Sequence, residues 1–125
     1  MHRATNVETG ADLAIKILPI RDPAQMDASA ARAIAHEISV LKRCAHHPAV
    51  VQYYGCFRHG NSIWLLMELC EVGSIGDLAA HKPLKDKHLA AVLHGTLAGL
   101  AFLHANSVLH CDVKPQNVSA CACMF

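Results

Sequence analysis

Asp112, Lys114 and Asn117 lie within six positions of one another in Val108-Leu109-His110-Cys111-Asp112-Val113-Lys114-Pro115-Gln116-Asn117. A carboxylate accepts the proton of an attacking hydroxyl, an ammonium steadies a phosphoryl group in transfer, and an amide oxygen holds a metal ion. The three groups together suit phosphoryl transfer. A second pair stands apart in sequence. Lys16 sits in an alternating strand-like run, and Glu37 falls on the apolar stripe of a helical pattern. A carboxylate on an inward face needs a cationic or hydrogen-bonding partner, because desolvating it unpaired is costly.

The elements that must position these groups read in order along the chain. Residues 11–18 alternate, with Leu13, Ile15 and Ile17 on one face and Ala14 and Lys16 on the other. Glu8-Thr9-Gly10 is a turn signal, which leaves Met1 to Val7 as part of a preceding strand, and Pro19 and Pro23 bound a short connector. Ala24 to about Cys44 predicts a helix whose inward stripe is Ala30, Ile34, Ile38 and Leu41, with Glu37 among them. His47-Pro48 ends it. Val50–Phe57 and Ile63–Leu69 predict two strands joined by a turn over residues 58–62. Gly73 to His81 predicts a short helix with Ser74 as N-cap. Residues 86–106 predict the longest helix, striped with Leu89, Val92, Leu93, Thr96, Leu97, Leu100 and Leu103. Residues 108–117 form a loop, and the last eight residues show no pattern. Strand, helix, two strands and then helices make an α+β layout.

Composition narrows the function classes. The 125 residues are enough for one domain with a core; 53% are apolar and 17% charged. A net charge of +1 argues against a nucleic-acid or acidic-membrane surface, and the apolar stretch Ile63 to Met67 is far too short for a membrane span. Six cysteines could suggest a disulfide scaffold, but Cys44, Cys56, Cys70 and Cys111 sit in or beside apolar runs as free thiols do, and Met1 opens no basic-then-apolar leader, so a cytoplasmic protein is expected. Cys121-x-Cys123 reads as a bland tail, because two thiols without nearby partners make a poor zinc site.

With these motifs in this order the chain resembles a eukaryotic-type protein kinase. The segment around Asp112 fits the His-Arg-Asp signature with Asn five residues on, except that Cys111 replaces Arg. Leu13-Ala14-Ile15-Lys16 resembles the Val-Ala-Ile-Lys strand. The resemblance implies ATP and Mg²⁺ as cofactors and a protein Ser/Thr hydroxyl as acceptor. It implies Asp112, Lys114 and Asn117 as catalytic residues, with Asn117 the metal ligand, and Lys16 paired to Glu37 to orient the phosphates. Met67-Glu68-Leu69-Cys70 looks like the hinge, with Met67 as gatekeeper and backbone groups of Glu68 and Cys70 on adenine; Ala14 lies over the ring. Leu41, Tyr53 and His110 match the hydrophobic spine. Asp-x-Lys-Pro is similar to serine/threonine kinases, and Met67 to Leu78 is similar to the sterile-twenty-like group. By this resemblance residues 1–69 are an N-lobe, an antiparallel sheet with one long helix, and residues 70–125 are the hinge, first helices and catalytic loop of a C-lobe.

The chain departs from the family pattern at both ends: it opens after the glycine-rich loop and stops before Asp-Phe-Gly. Ser119 stands where a leucine packs under adenine in relatives. Read this way, the chain by itself is expected to be inactive, and its long helix should leave part of its apolar stripe uncovered. A truncated non-catalytic pseudokinase, acting as an interaction module, is the competing expectation. Cys111 cannot pair with an activation-loop phosphate as Arg does.

Overall fold

The computed structural model describes residues 1–20 and 28–120. The expected helix start at Ala24, the connector proline Pro23 and the Cys121-x-Cys123 pair lie outside the described residues. The chain divides into two compact units: Met1–His46 with Val50–Leu69, and His47–Ala49 with Cys70–Phe125.

In the first unit, alternating side chains make four antiparallel strands, β1 (His2–Thr5), β2 (Asp12–Pro19), β3 (Tyr53–His59) and β4 (Ser62–Glu68), in the order β1-β2-β4-β3. Register pairs Ala14 with Met67 and Lys16 with Leu65, so these four share one face. Leu13, Ile15 and Ile17 take the other face, opposite Glu68, Leu66 and Trp64. Ala14, Ile15, Leu65 and Met67 are buried, and Leu65 is fully enclosed. The turn between β3 and β4 is tighter than the five residues predicted. Gly60, at φ 55°, lets the chain reverse within Gly60-Asn61, and the strands run on to His59 and from Ser62. The β3 edge also carries a bulge between Tyr53 and Gly55.

Helix α1 spans Ala28–Cys44. Ala31, Ile34, Ala35 and Ile38 line an apolar cavity of about 180 Å³ with Ile20 and Ile63. Ala30, expected on the inward stripe, is exposed. The rest of the expected stripe, Ile34, Glu37, Ile38 and Leu41, is half-buried.

In the second unit, α2 (Ile75–His81) opens with a capping box. The Ser74 hydroxyl accepts from the Asp77 N–H at 3.0 Å, and the Asp77 carboxylate accepts from the Ser74 N–H at 3.1 Å. Hydrogen bonds from the Ser74 hydroxyl and backbone hold the Asp77 carboxyl below its ordinary value. Helix α3 (Asp86–Ala105) follows, then a turn of 3-10 helix at Pro115–Asn117. The last described residues are patterned after all: Ser119 bridges Ser74, Ile75 donates to the Val118 carbonyl, and Ala120 donates to the Gly73 carbonyl and is fully buried. That pairing is long-range, so no local sequence signal announces it.

Helix α3 leaves part of its stripe uncovered, as expected: Leu93 and Leu97 are 61% and 64% exposed. Among the described residues it is the one helix long and apolar enough, by length and composition, to cross a membrane. Counting uninterrupted apolar residues missed it because His88, His94 and Thr96 interrupt the run. The loop His47–Ala49 packs on this helix. The His47 ring stacks on Phe102 with centroids 4.4 Å apart, and the Ala49 carbonyl lies where a side chain at Gly99 would begin. A Cβ at position 99 would stand 2.9 Å from that oxygen. Gly99→Ala gains roughly 1 kcal/mol of helix propensity and costs roughly 1–3 kcal/mol of overpacking. Gly99→Val adds bulk and loses propensity. We therefore expect a small net loss for alanine and a loss above 2 kcal/mol, roughly, for valine, read by urea unfolding; a valine variant as stable as the parent would contradict the packing.

Candidate active site

Strand β2 and helix α1 bring Lys16 and Glu37 together. Lys16 Nζ lies 2.6 Å from Glu37 Oε1, with the two side chains 44% and 36% exposed. The partner that an inward Glu37 required is therefore Lys16. Ala14 and Met67 are cross-strand neighbours beside this pair. Glu68 is fixed by Gln52, whose role gave no sequence signal. The Glu68 N–H donates to the Gln52 carbonyl at 2.9 Å, and the Glu68 carboxylate accepts from the Gln52 N–H at 3.2 Å. The adenine contact expected of Glu68 uses its carbonyl, which neither bond engages. Tyr53, expected in an apolar spine, carries a buried hydroxyl that meets no hydrogen-bond partner among the described residues. Burial, aided by the neighbouring Cys56 thiol, pushes its phenol up to about 12.

Cys70 belongs to the second unit, where its carbonyl accepts from the Gly73 N–H at 3.0 Å and closes a turn. A carbonyl has a second lone pair, so this bond leaves acceptor capacity for a ligand. Farther along, Cys111 takes a left-handed backbone at φ 60°. That reversal places the Asp112 N–H on His110 Nδ1 at 3.2 Å. The 3-10 turn then carries Asn117 back to Asp112. Asn117 Nδ2 donates to Asp112 Oδ2 at 2.7 Å and to the Asp112 carbonyl at 2.8 Å, and Lys114 Nζ lies 2.9 Å from Oδ2. Gln116 packs against Gly76 of α2 and holds the turn from behind.

The three residues picked out by spacing thus form one cluster. Its chemistry is specific. Lys114 first, then Asn117, hold the Asp112 carboxyl below its ordinary value, with the charge of His110 adding to the effect. Both side-chain bonds fall on Oδ2, and Oδ1 takes part in neither. A carboxylate with a depressed pKa is a weak base in Brønsted terms. Orienting a hydroxyl through Oδ1 is therefore its stronger capability, ahead of outright deprotonation. The Asn117 amide gives both bonds through its nitrogen, which turns its oxygen away from Asp112 and fits one ligand of a hard cation. No group of three His, Cys, Asp or Glu among the described residues could hold a metal ion by protein ligands alone.

Comparison with known proteins decides the family. The protein kinase domain model matches residues 1–120. The chain belongs to the protein kinase domain family. It is 38% identical over 120 residues to the serine/threonine-protein kinase cst-1 of Caenorhabditis briggsae, covering 94% of this chain and 23% of that protein. It is 37% identical to the MAP kinase kinase kinase wis4 of Schizosaccharomyces pombe and 34% identical to Misshapen-like kinase 1 of Rattus norvegicus. Each match covers 94% of this chain, and 8% and 9% of those proteins. The chain therefore spans less than a quarter of these relatives' lengths. The kinase-like α+β fold and the likeness to serine/threonine kinases are borne out by these matches.

The Asp112 cluster makes a direct prediction about ionisation. Its carboxyl should titrate below the ordinary aspartate range, and Lys114→Met should raise it toward that range. The sign follows: the stabilisation from these bonds is present above the unfolded carboxyl range and is lost as pH falls through the depressed folded value. Carbon-detected NMR titration of Asp112 reads both effects, and an unshifted Asp112 in the parent chain would contradict the geometry.

Proposed function

We propose that this chain is a segment of an ATP-dependent serine/threonine protein kinase that transfers the γ-phosphoryl of ATP to a protein hydroxyl. The observation that carries the reading is the Asp112 cluster: carboxylate, ammonium and amide converge within hydrogen-bond distance on a family-matched loop. In this reading residues 1–69 act as the N-lobe and 70–125 as the start of the C-lobe. Lys16, held by Glu37, orients the ATP phosphates. Ala14 and Met67 bound the adenine, and backbone groups of Glu68 and Cys70 hydrogen-bond it.

Asp112 Oδ1 orients the acceptor hydroxyl and receives its proton as the bond to phosphorus forms. Lys114 neutralises charge on the phosphoryl oxygens while it holds Asp112 in place. Asn117 would hold Mg²⁺ through its side-chain oxygen, and the remaining ligands would be phosphate oxygens and water. When bound, the metal neutralises charge on the β- and γ-phosphates. Asp-Val-Lys-Pro at 112–115 supports Ser/Thr as acceptor, and the run from Met67 to Leu78 supports the sterile-twenty-like group. Cys111 in place of Arg argues against control by an activation-loop phosphate. Free thiols at Cys44, Cys56, Cys70 and Cys111 are consistent with a cytoplasmic setting.

A second reading, a non-catalytic kinase-derived interaction module, is favoured by the uncovered leucines of α3, which offer an apolar surface to a partner. Transfer from radiolabelled ATP to a serine peptide, assayed in the full natural protein, separates the two. We expect Mg²⁺-dependent transfer to serine over tyrosine, cut by roughly 10²–10⁴-fold in Asp112→Ala, as for loss of a positioned acid–base group. A natural protein that gives no transfer, while Mg-ATP leaves its melting temperature unchanged, would leave the interaction module.

A further inference from the structure

We propose that His47 is a proton-sensitive latch that holds the loop His47–Ala49 on helix α3 and releases it as the ring becomes protonated. The Ala49 N–H donates to His47 Nδ1 at 3.1 Å, so that nitrogen must carry a lone pair. The same ring stacks on Phe102 at 4.4 Å with planes 18° apart. The Ala49 peptide is therefore gripped on both sides. Its N–H is bound to His47, and its carbonyl is pressed against α3 where Gly99 lacks a side chain.

An imidazolium has N–H on both nitrogens, so no tautomer or ring flip restores an acceptor. Protonation sets one donor against another. Water can take over the Ala49 N–H only after the ring has moved off it, and that movement ends the stack on Phe102. A charged ring gains some cation–π attraction from Phe102, which opposes release. Against that gain stand the lost hydrogen bond and the donor–donor conflict. Of the titratable groups, His46 is next in the chain and His104 lies two positions beyond Phe102 on α3. The acidic residue of α3 is Asp86, sixteen positions before Phe102, and Lys87 sits beside it. No carboxylate on α3 is therefore placed to favour a charged His47.

The test is the melting temperature of the chain at pH 7.5 and 5.5, for the parent and for His47→Asn. Asparagine offers a non-titrating oxygen to the N–H two residues on, as in an Asx-turn. The parent should lose about 4 °C more than His47→Asn on acidification, the size of one hydrogen bond in a domain this small. Equal losses would overturn the latch. Should the variant fail to fold, NMR of the parent decides instead. The Ala49 amide must shift with the same midpoint as the His47 ring, and an Ala49 amide indifferent to that titration overturns the proposal.

Discussion

The ion pair between Lys16 and Glu37 is the constraint on which the first unit's arrangement turns. It ties a strand to a helix 21 residues away, and it forms because β2 presents Lys16 on the face that α1 covers. Both side chains are more than a third exposed, so solvent screens the pair and its contribution to stability is small. Its weight lies in orientation. A lysine held at one end by a carboxylate has already lost much of its rotamer freedom, which lowers the ordering cost of any further contact it makes. The apolar burial around it, Ala14, Leu65 and Met67 in register, supplies the stability that the ion pair does not.

The second unit solves its problem differently, with hydrogen bonds between short segments. The capping box at Ser74, the bridge from Ser74 to Ser119 and the packing of Gln116 on Gly76 hold the Asp112 loop against the start of α2. The loop is exposed, and its order comes from bonds that Asp112 makes with its own neighbours: His110 on its N–H, Lys114 and Asn117 on its carboxylate. A left-handed Cys111 is what allows them to converge. A residue with a Cβ pays for that conformation, and the local bonds offset the strain.

Much of this was legible in the residues. The alternation of β2, the period of α3 and the Ser74 cap are local signals, and each element formed where its pattern placed it. A desolvation argument required a partner for Glu37 and the family resemblance named Lys16, while the spacing of Asp112, Lys114 and Asn117 already named a cluster. What remained hidden is non-local. Gln52 clamps Glu68 through pairing that no short window shows. Ser119 and Ala120 look patternless until they meet Gly73 and Ser74. Ala30, in the first turn of α1, was placed inward and is exposed, while Ile34, Ile38 and Leu41 keep the expected stripe. Membrane-spanning length in α3 was overlooked because histidines break the run without breaking the mean hydropathy.

The central claim is that this chain is a kinase segment in which Lys16, the backbone around Met67 and the Asp112 cluster each respond to ATP and Mg²⁺. Backbone NMR of the chain titrated with a non-hydrolysable ATP analogue and Mg²⁺ tests it most directly. The account predicts saturable shifts at the amides of Ala14, Lys16, Cys70 and Asn117, with the Asn117 response lost when Mg²⁺ is chelated. Saturating nucleotide that moves none of these amides, or that moves a separate set of surface residues, would contradict it.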